Sequence, residues 1–154
     1  GGKWKFMVHD LDVGCSNGDD LVVDLYLRRK TDKASSVPHW PITALLEVPE
    51  YRDKFLRRLA EVIQTNFLYD TQSEPVLTRW RDQIELVMPR HIAKFKTFPS
   101  VSEWKQNVRA TMNYTRRRPR MVINWVCQRL HLTRDEREAY FRTTLDLLTL
   151  HNEK

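Results

Sequence analysis

The stretch PEYRDKFLRRLAEVIQTNF, residues 49–67, decides the fold class. Tyr51, Phe55, Leu59, Val62 and Ile63 recur at three- and four-residue steps, which gathers them on one face of an α-helix. Pro49 stands where a first-turn proline belongs, because its missing N–H would have no intrahelical partner there. A helix from Pro49 to about Phe67 follows. Downstream, Leu77, Trp80, Ile84, Val87, His91, Ile92 and Phe95 share one side of a second helical stretch that opens near Pro75. Pro89 predicts a kink or break within it. Ser100-Val101-Ser102-Glu103 has the composition of a capping box and opens a helix carrying Trp104, Val108 and Met112. A further helix is predicted from Pro119, with Val122, Ile123, Val126 and Leu130 on one side. Thr133-Arg134-Asp135-Glu136 repeats the capping pattern, and Phe141, Leu145 and Leu148 keep helical spacing. Residues 133–154 therefore read as a helix, with a short strand over residues 145–150 as the alternative.

Upstream of residue 42 the period changes. Trp4, Phe6 and Val8 alternate with Lys5, Met7 and His9, the signature of a half-buried strand. Asn17-Gly18 is a hairpin turn signal, and residues 21–27 read as a second strand. The polar stretch from Lys30 to Pro41 reads as a loop, with Trp40 pinning it. The expectation is a mainly α chain: a β-hairpin over 1–29, a stack of about five helices over 42–132, and the tail. The tryptophans are expected in the core, Trp80 and Trp104 on helical stripes.

At 154 residues, 41% hydrophobic and 30% charged, the chain suits one domain with a real core and is too apolar for disorder. No apolar run reaches the roughly eighteen residues of a membrane span. Cys15 and Cys127 form no Cys-x-x-Cys pair, so one disulfide is arithmetically possible while a zinc site is unsupported. The five histidines show no metal-ligand spacing.

The net charge of +6 is uneven: residues 1–75 carry ten Lys/Arg against twelve Asp/Glu, and residues 76–154 carry sixteen against eight. The basic peak is Arg116-Arg117-Arg118-Pro119-Arg120, which together with Arg79, Arg81, Arg90 and Lys94 could face nucleic acid or an acidic protein. The aromatic residues lie on the apolar faces instead of interleaving with these arginines, which disfavours base stacking.

The acidic end begins at Asp10-Leu11-Asp12-Val13-Gly14. If the first strand runs on, Asp10 and Asp12 share the face of Trp4, Phe6 and Val8. Two such carboxylates are costly to desolvate without a balancing cation, and a hard ion such as Mg²⁺ suits them. The same composition also makes a solvated turn, and the spacing alone leaves both readings open.

Read together, these segments resemble the CotH family. Gly2-Lys3-Trp4 leading into Asp10-Leu11-Asp12-Val13-Gly14 is similar to that family's Gly-Lys-Trp strand and Asp-x-Asp-x-Gly turn. Leu45-Leu46 with Pro49-Glu50-Tyr51-Arg52 resembles its Leu-Leu and Pro-Glu-Phe-Arg helix start. Thr65-Asn66-Phe67, Met88-Pro89-Arg90, Trp104, Asn107-Val108 and Arg118-Pro119 extend the likeness to about Leu132. The resemblance implies the C-terminal portion of an atypical kinase-like domain that transfers phosphate from Mg-ATP to protein serine. It implies Asp12 as the Mg²⁺ ligand, in the place of the kinase Asp-Phe-Gly aspartate but with Val13 for the phenylalanine, and Asp10 as a second ligand or support. It also places the catalytic aspartate and nucleotide-holding lobe upstream of residue 1, so residues 1–154 alone are expected to be inactive. A protein substrate, a spore-coat or cell-surface setting, and pairing of two copies through the truncated face belong to the same expectation. The alternative is a non-catalytic helical interaction or coat-type module.

Overall fold

The computed structural model describes residues 40–153. Six α-helices follow in order: α1 (Trp40–Leu46), α2 (Pro49–Asn66), α3 (Glu74–Glu85), α4 (Met88–Phe95), α5 (Val101–Arg129) and α6 (Arg134–Asn152). A single wide π-type turn, Tyr69–Ser73, joins α2 to α3. The predicted hairpin over 1–29 lies outside the described residues, and no strand occurs within them. The expected loop gives way to helix at Trp40, one residue before Pro41, and α1 to α5 match the about five helices expected ahead of the tail.

The core lies between α2, α5 and α6, with α1 at one end. Leu56, Ala60 and Ile63 of α2 meet Ile123, Val126 and Cys127 of α5 and Phe141 and Leu148 of α6. The fully buried line of α2 runs one position beyond the predicted stripe: Phe55 and Leu59 flank it, and Tyr51 is half exposed. A seven-residue apolar set spans a broad face, and only the position of the partner helices fixes its centre. The opposite face carries the ion pairs Lys54–Glu50, Arg57–Asp53 and Arg58–Glu61, three or four residues apart as helix geometry requires.

Helix boundaries follow local chemistry. Pro49 is at the N-terminus of α2, after an extended Val48 that gives no side-chain cap. Pro89 sits in the first turn of α4, and the chain breaks at Leu86–Val87 just before it, as its missing N–H predicts. Lys96 closes α4 in the left-handed conformation, φ 57°, with its N–H bonded to the Ile92 carbonyl at 2.9 Å. Ser100 caps α5 through its Oγ, which accepts from the Glu103 N–H at 3.1 Å. Thr133 and Glu136 form the full reciprocal box at α6: the Glu136 N–H donates to Thr133 Oγ1 at 3.2 Å, and the Thr133 N–H donates to Glu136 Oε2 at 2.7 Å. The tail is thus helix, and the strand alternative falls.

Pro119 does not start a helix. It lies inside α5, a continuous helix of 29 residues, about 43 Å at 1.5 Å per residue. An internal proline removes one hydrogen bond and costs about 3 kcal/mol. Tertiary structure offsets this here: Pro119 is buried, and the Asn152 side chain donates to the Arg116 carbonyl of the same turn at 2.9 Å.

α3 stands apart, since none of its twelve residues is buried. Trp104 is in the core as expected, at 7% exposure, whereas Trp80 is 53% exposed. The stripe predicted to face a core therefore faces outward at Trp80, Ile84, Val87 and Phe95.

Candidate functional site

Asp10 and Asp12, the expected metal ligands, lie outside the described residues. Within the described residues no group of three or more His, Cys, Asp or Glu side chains could hold a metal ion. What the helices do organise is a set of polar fasteners around the core, two apolar surfaces, and the basic run.

The polar fastener that joins the most segments is Asn152, at 4% exposure, in the last turn of α6. Its Oδ1 accepts from the Tyr69 N–H at 3.0 Å, and its Nδ2 donates to the carbonyls of Phe67 at 3.3 Å and Arg116 at 2.9 Å. One amide thus ties the end of α2, the π-type turn and the middle of α5 to α6. Beside it, His151 Nδ1 lies 2.8 Å from Asp70 Oδ1. Thr144, fully buried, accepts from Gln64 Nε2 at 2.7 Å. At the other end of the α2–α6 contact, Asp53 receives the Arg57 guanidinium at 2.9 Å and the Tyr140 hydroxyl at 2.9 Å. The Arg57 bond, then the Tyr140 bond, hold the Asp53 carboxyl below the ordinary aspartate range, and the Tyr140 phenol is correspondingly raised.

The basic run is largely spent within the fold. Arg116 lies 4.5 Å from the Tyr69 ring centre, and Arg118 lies 4.5 Å from that of Trp125 and 5.3 Å from that of Tyr114. Arg120 donates to Thr149 Oγ1 at 2.7 Å and pairs with Glu153. Arg116 and Arg118 thus stack on the protein's own aromatic rings, and Arg120 ties α5 to the end of α6.

A groove between α2 and α5 is lined by Leu59, Val62, Phe67, Tyr114, Pro119 and Val122, and its volume is about 380 Å³. Cys127 is a buried thiol whose pKa burial pushes up, which marks it as core packing instead of a nucleophile. Cys15 lies outside the described residues. No helix among the described residues is long and apolar enough to cross a membrane.

The described residues therefore define a helical domain with one core held by polar fasteners. The comparison with protein families identifies which kind. The family model CotH kinase protein matches residues 1–122, and the chain belongs to the CotH family. The match takes in the Asp10–Gly14 segment and α1 to α4, and it ends within α5. No curated protein and no solved structure matches the chain.

Asn152, Gln64 and Thr144 were not singled out by sequence. A polar residue in the last turn of a helix ordinarily faces water, so nothing in its spacing marks a buried fastener. Arg118-Pro119 was noticed, but for its charge and its proline and not for the stacking on Trp125.

Proposed function

We propose that the chain is the C-terminal part of a CotH-type protein kinase domain, working as one unit over residues 1–154. The supporting observation is the family match, which joins the Asp10-Leu11-Asp12-Val13-Gly14 segment and the helical region in a single span. In this reading the domain transfers the terminal phosphate of ATP to a serine hydroxyl of a protein substrate. Such transfer asks the protein chiefly to position phosphates, metal and nucleophile. Asp12 would hold Mg²⁺, and Asp10 would be a further ligand or orient Asp12. Two carboxylates are the donor chemistry a hard divalent ion takes, with water and phosphate completing its shell. Bound Mg²⁺ supplies charge neutralisation at the phosphates. In this reading the catalytic aspartate lies outside residues 1–154. A spore-coat or cell-surface setting accords with the family, as does a protein partner.

The test is Asp12→Asn and Asp10→Asn in the protein that includes the upstream catalytic loop, read as phosphate transfer to serine from labelled ATP. Loss of transfer in Asp12→Asn by about a hundredfold or more, with the fold intact by circular dichroism, is the expected result. Full activity in Asp12→Asn would refute the assignment. A non-catalytic interaction module is the second reading. It is favoured by one observation, the uncovered apolar face of α3 and α4, and it expects no Mg-ATP binding by either variant or parent.

A further inference from the structure

The uncovered face has an order that a random exposed patch lacks. Trp80, Ile84 and Val87 recur at steps of four and three and continue to His91 and Phe95, so one apolar stripe runs along α3, through the Leu86–Val87 break, and along α4. Trp80 is 53% exposed and Phe95 57%. The His91 and Phe95 rings lie 4.9 Å apart, which keeps this end of the stripe continuous. Immediately to one side, at the positions one residue earlier, run Arg79, Gln83, Leu86, Arg90 and Lys94, all exposed. Of the positions one residue later, Arg81, Glu85 and Ile92 are half-buried and Met88 is buried, while Lys96, past the end of α4, is exposed.

The surface is therefore sided: an apolar stripe, a cationic edge on its outer flank, and the domain itself on its inner flank. No ion pair is formed by Arg79, Arg90 or Lys94 among the described residues, whereas the neighbouring Arg81 is paired with Asp82 at 2.8 Å. A partner that fits must bury Trp80, Ile84 and Phe95 while setting negative charge against one edge only. A helix with an apolar stripe and carboxylates along one adjacent edge meets both conditions. A lipid surface fits less well, because it would offer negative charge on both flanks of an apolar stripe lying in its plane.

We propose that the α3–α4 face is a docking site for an acidic amphipathic helix of a partner protein. Its apolar residues seat on the Trp80–Phe95 stripe, and its carboxylates face Arg79, Arg90 and Lys94. The site stands independently of catalysis, since it uses none of the residues assigned to metal or nucleotide.

The probe is a fluorescein-labelled helical peptide of twenty residues, with leucines at steps of three and four and glutamates along one edge. A second peptide carries lysines in place of the glutamates. Binding to the full 154-residue chain is read by anisotropy. The glutamate peptide is expected to bind and the lysine peptide not. The triple variant Arg79→Glu/Arg90→Glu/Lys94→Glu should weaken the glutamate peptide by at least about tenfold, and raising salt from 50 to 500 mM should weaken wild-type binding, since exposed charges are screened. Trp80→Ala should weaken it comparably. Both altered sites are exposed, so circular dichroism should match wild type and separate lost docking from lost folding. Equal binding of both peptides, binding of neither, binding that survives the charge reversal, or preferential binding to phosphatidylserine vesicles would each overturn the proposal. So would light scattering that shows the face buried in a dimer of this chain.

Discussion

Replacing Asn152 with alanine removes no apolar packing to speak of, yet it should be among the most damaging single changes in the chain. The side chain is 4% exposed and satisfies one backbone N–H and two carbonyls contributed by three different segments. Alanine leaves the Tyr69 N–H, itself in a residue only 3% exposed, without an acceptor. A buried donor left unmade costs about 1–3 kcal/mol, and the two carbonyls add less because each retains a second lone pair and Phe67 is half exposed. About 3 kcal/mol is the expected total, and for a chain of this size it corresponds to a fall in melting temperature of roughly 6–12 °C. Urea denaturation followed at 222 nm gives the free energy directly. Asn66→Ala is the control, since Asn66 is exposed and its amide donates to Val62 and Thr65 within its own helix end. It should cost less than about 0.5 kcal/mol. Asn152→Asp should not rescue, because aspartate accepts from Tyr69 but sets a charge against two carbonyl oxygens. A loss below 1 kcal/mol in Asn152→Ala, or a rescue by aspartate, would refute the argument that this amide is what ties α6 to the turn and to α5.

The two tryptophans of the helical stripes should separate sharply. Trp104→Ala, at a site 7% exposed, is expected to cost about 3–5 kcal/mol by denaturant titration, and Trp80→Ala, at a site 53% exposed, less than about 0.5 kcal/mol. Equal losses would contradict the placement of α3 outside the core. The Glu136 carboxyl is held below the ordinary glutamate value, first by the Thr133 backbone N–H and then by its hydroxyl. A depressed folded pKa contributes stability that is present above the unfolded value and is lost as pH falls through the folded one. The wild type minus Glu136→Gln difference should therefore be constant at neutral pH and shrink below about pH 4.5. Thr133→Ala should cost about 1 kcal/mol and weaken that dependence only in part, because the hydroxyl is lost while the backbone N–H to Glu136 remains.

Two prolines show how far sequence reasoning reaches. Pro89 and Pro119 both follow apolar-periodic stretches, and both predict a break. At Pro89 the break occurs, since the chain before it can leave the helix at Leu86 and Val87 with nothing holding it. At Pro119 the helix continues, because the segments that support this turn, Asn152 and the π-type turn with Tyr69, come from 33 residues downstream and 50 residues upstream of it. Local chemistry reads the caps at Ser100 and Thr133 and the start at Pro49 for the same reason that it fails at Pro119: a cap is made within four residues, and a supported proline is made only by the fold. The stripe from Trp80 to Phe95 is likewise legible as amphipathic, but periodicity says which residues share a face and not what that face meets. Of the candidate site, Asp10 and Asp12 were legible only through the Asp-x-Asp-x-Gly pattern and its resemblance, and they lie beyond the residues the structure describes.

The family match ends at residue 122, while α6 begins at Arg134, and the core crosses that boundary. Three of the five largest fully buried side chains, Phe141, Thr144 and Leu148, belong to α6. Each apolar one among them contributes about 1.5–3 kcal/mol by burial, and removing α6 would also expose Leu56 and Ile63 of α2 and leave Gln64 and Tyr69 without their partners. Those losses together reach the 5–15 kcal/mol that stabilises an ordinary domain. A chain ending at Leu132, which keeps the whole matched span, should then lose its cooperative thermal transition and bind a hydrophobic dye, while the chain through Lys154 melts sharply. A sharp, reversible melt of the shortened chain would mean that α2 and α5 find their packing without α6. In that case the Asn152 fastener would be an accessory to the CotH-matched region and not a condition of its folding.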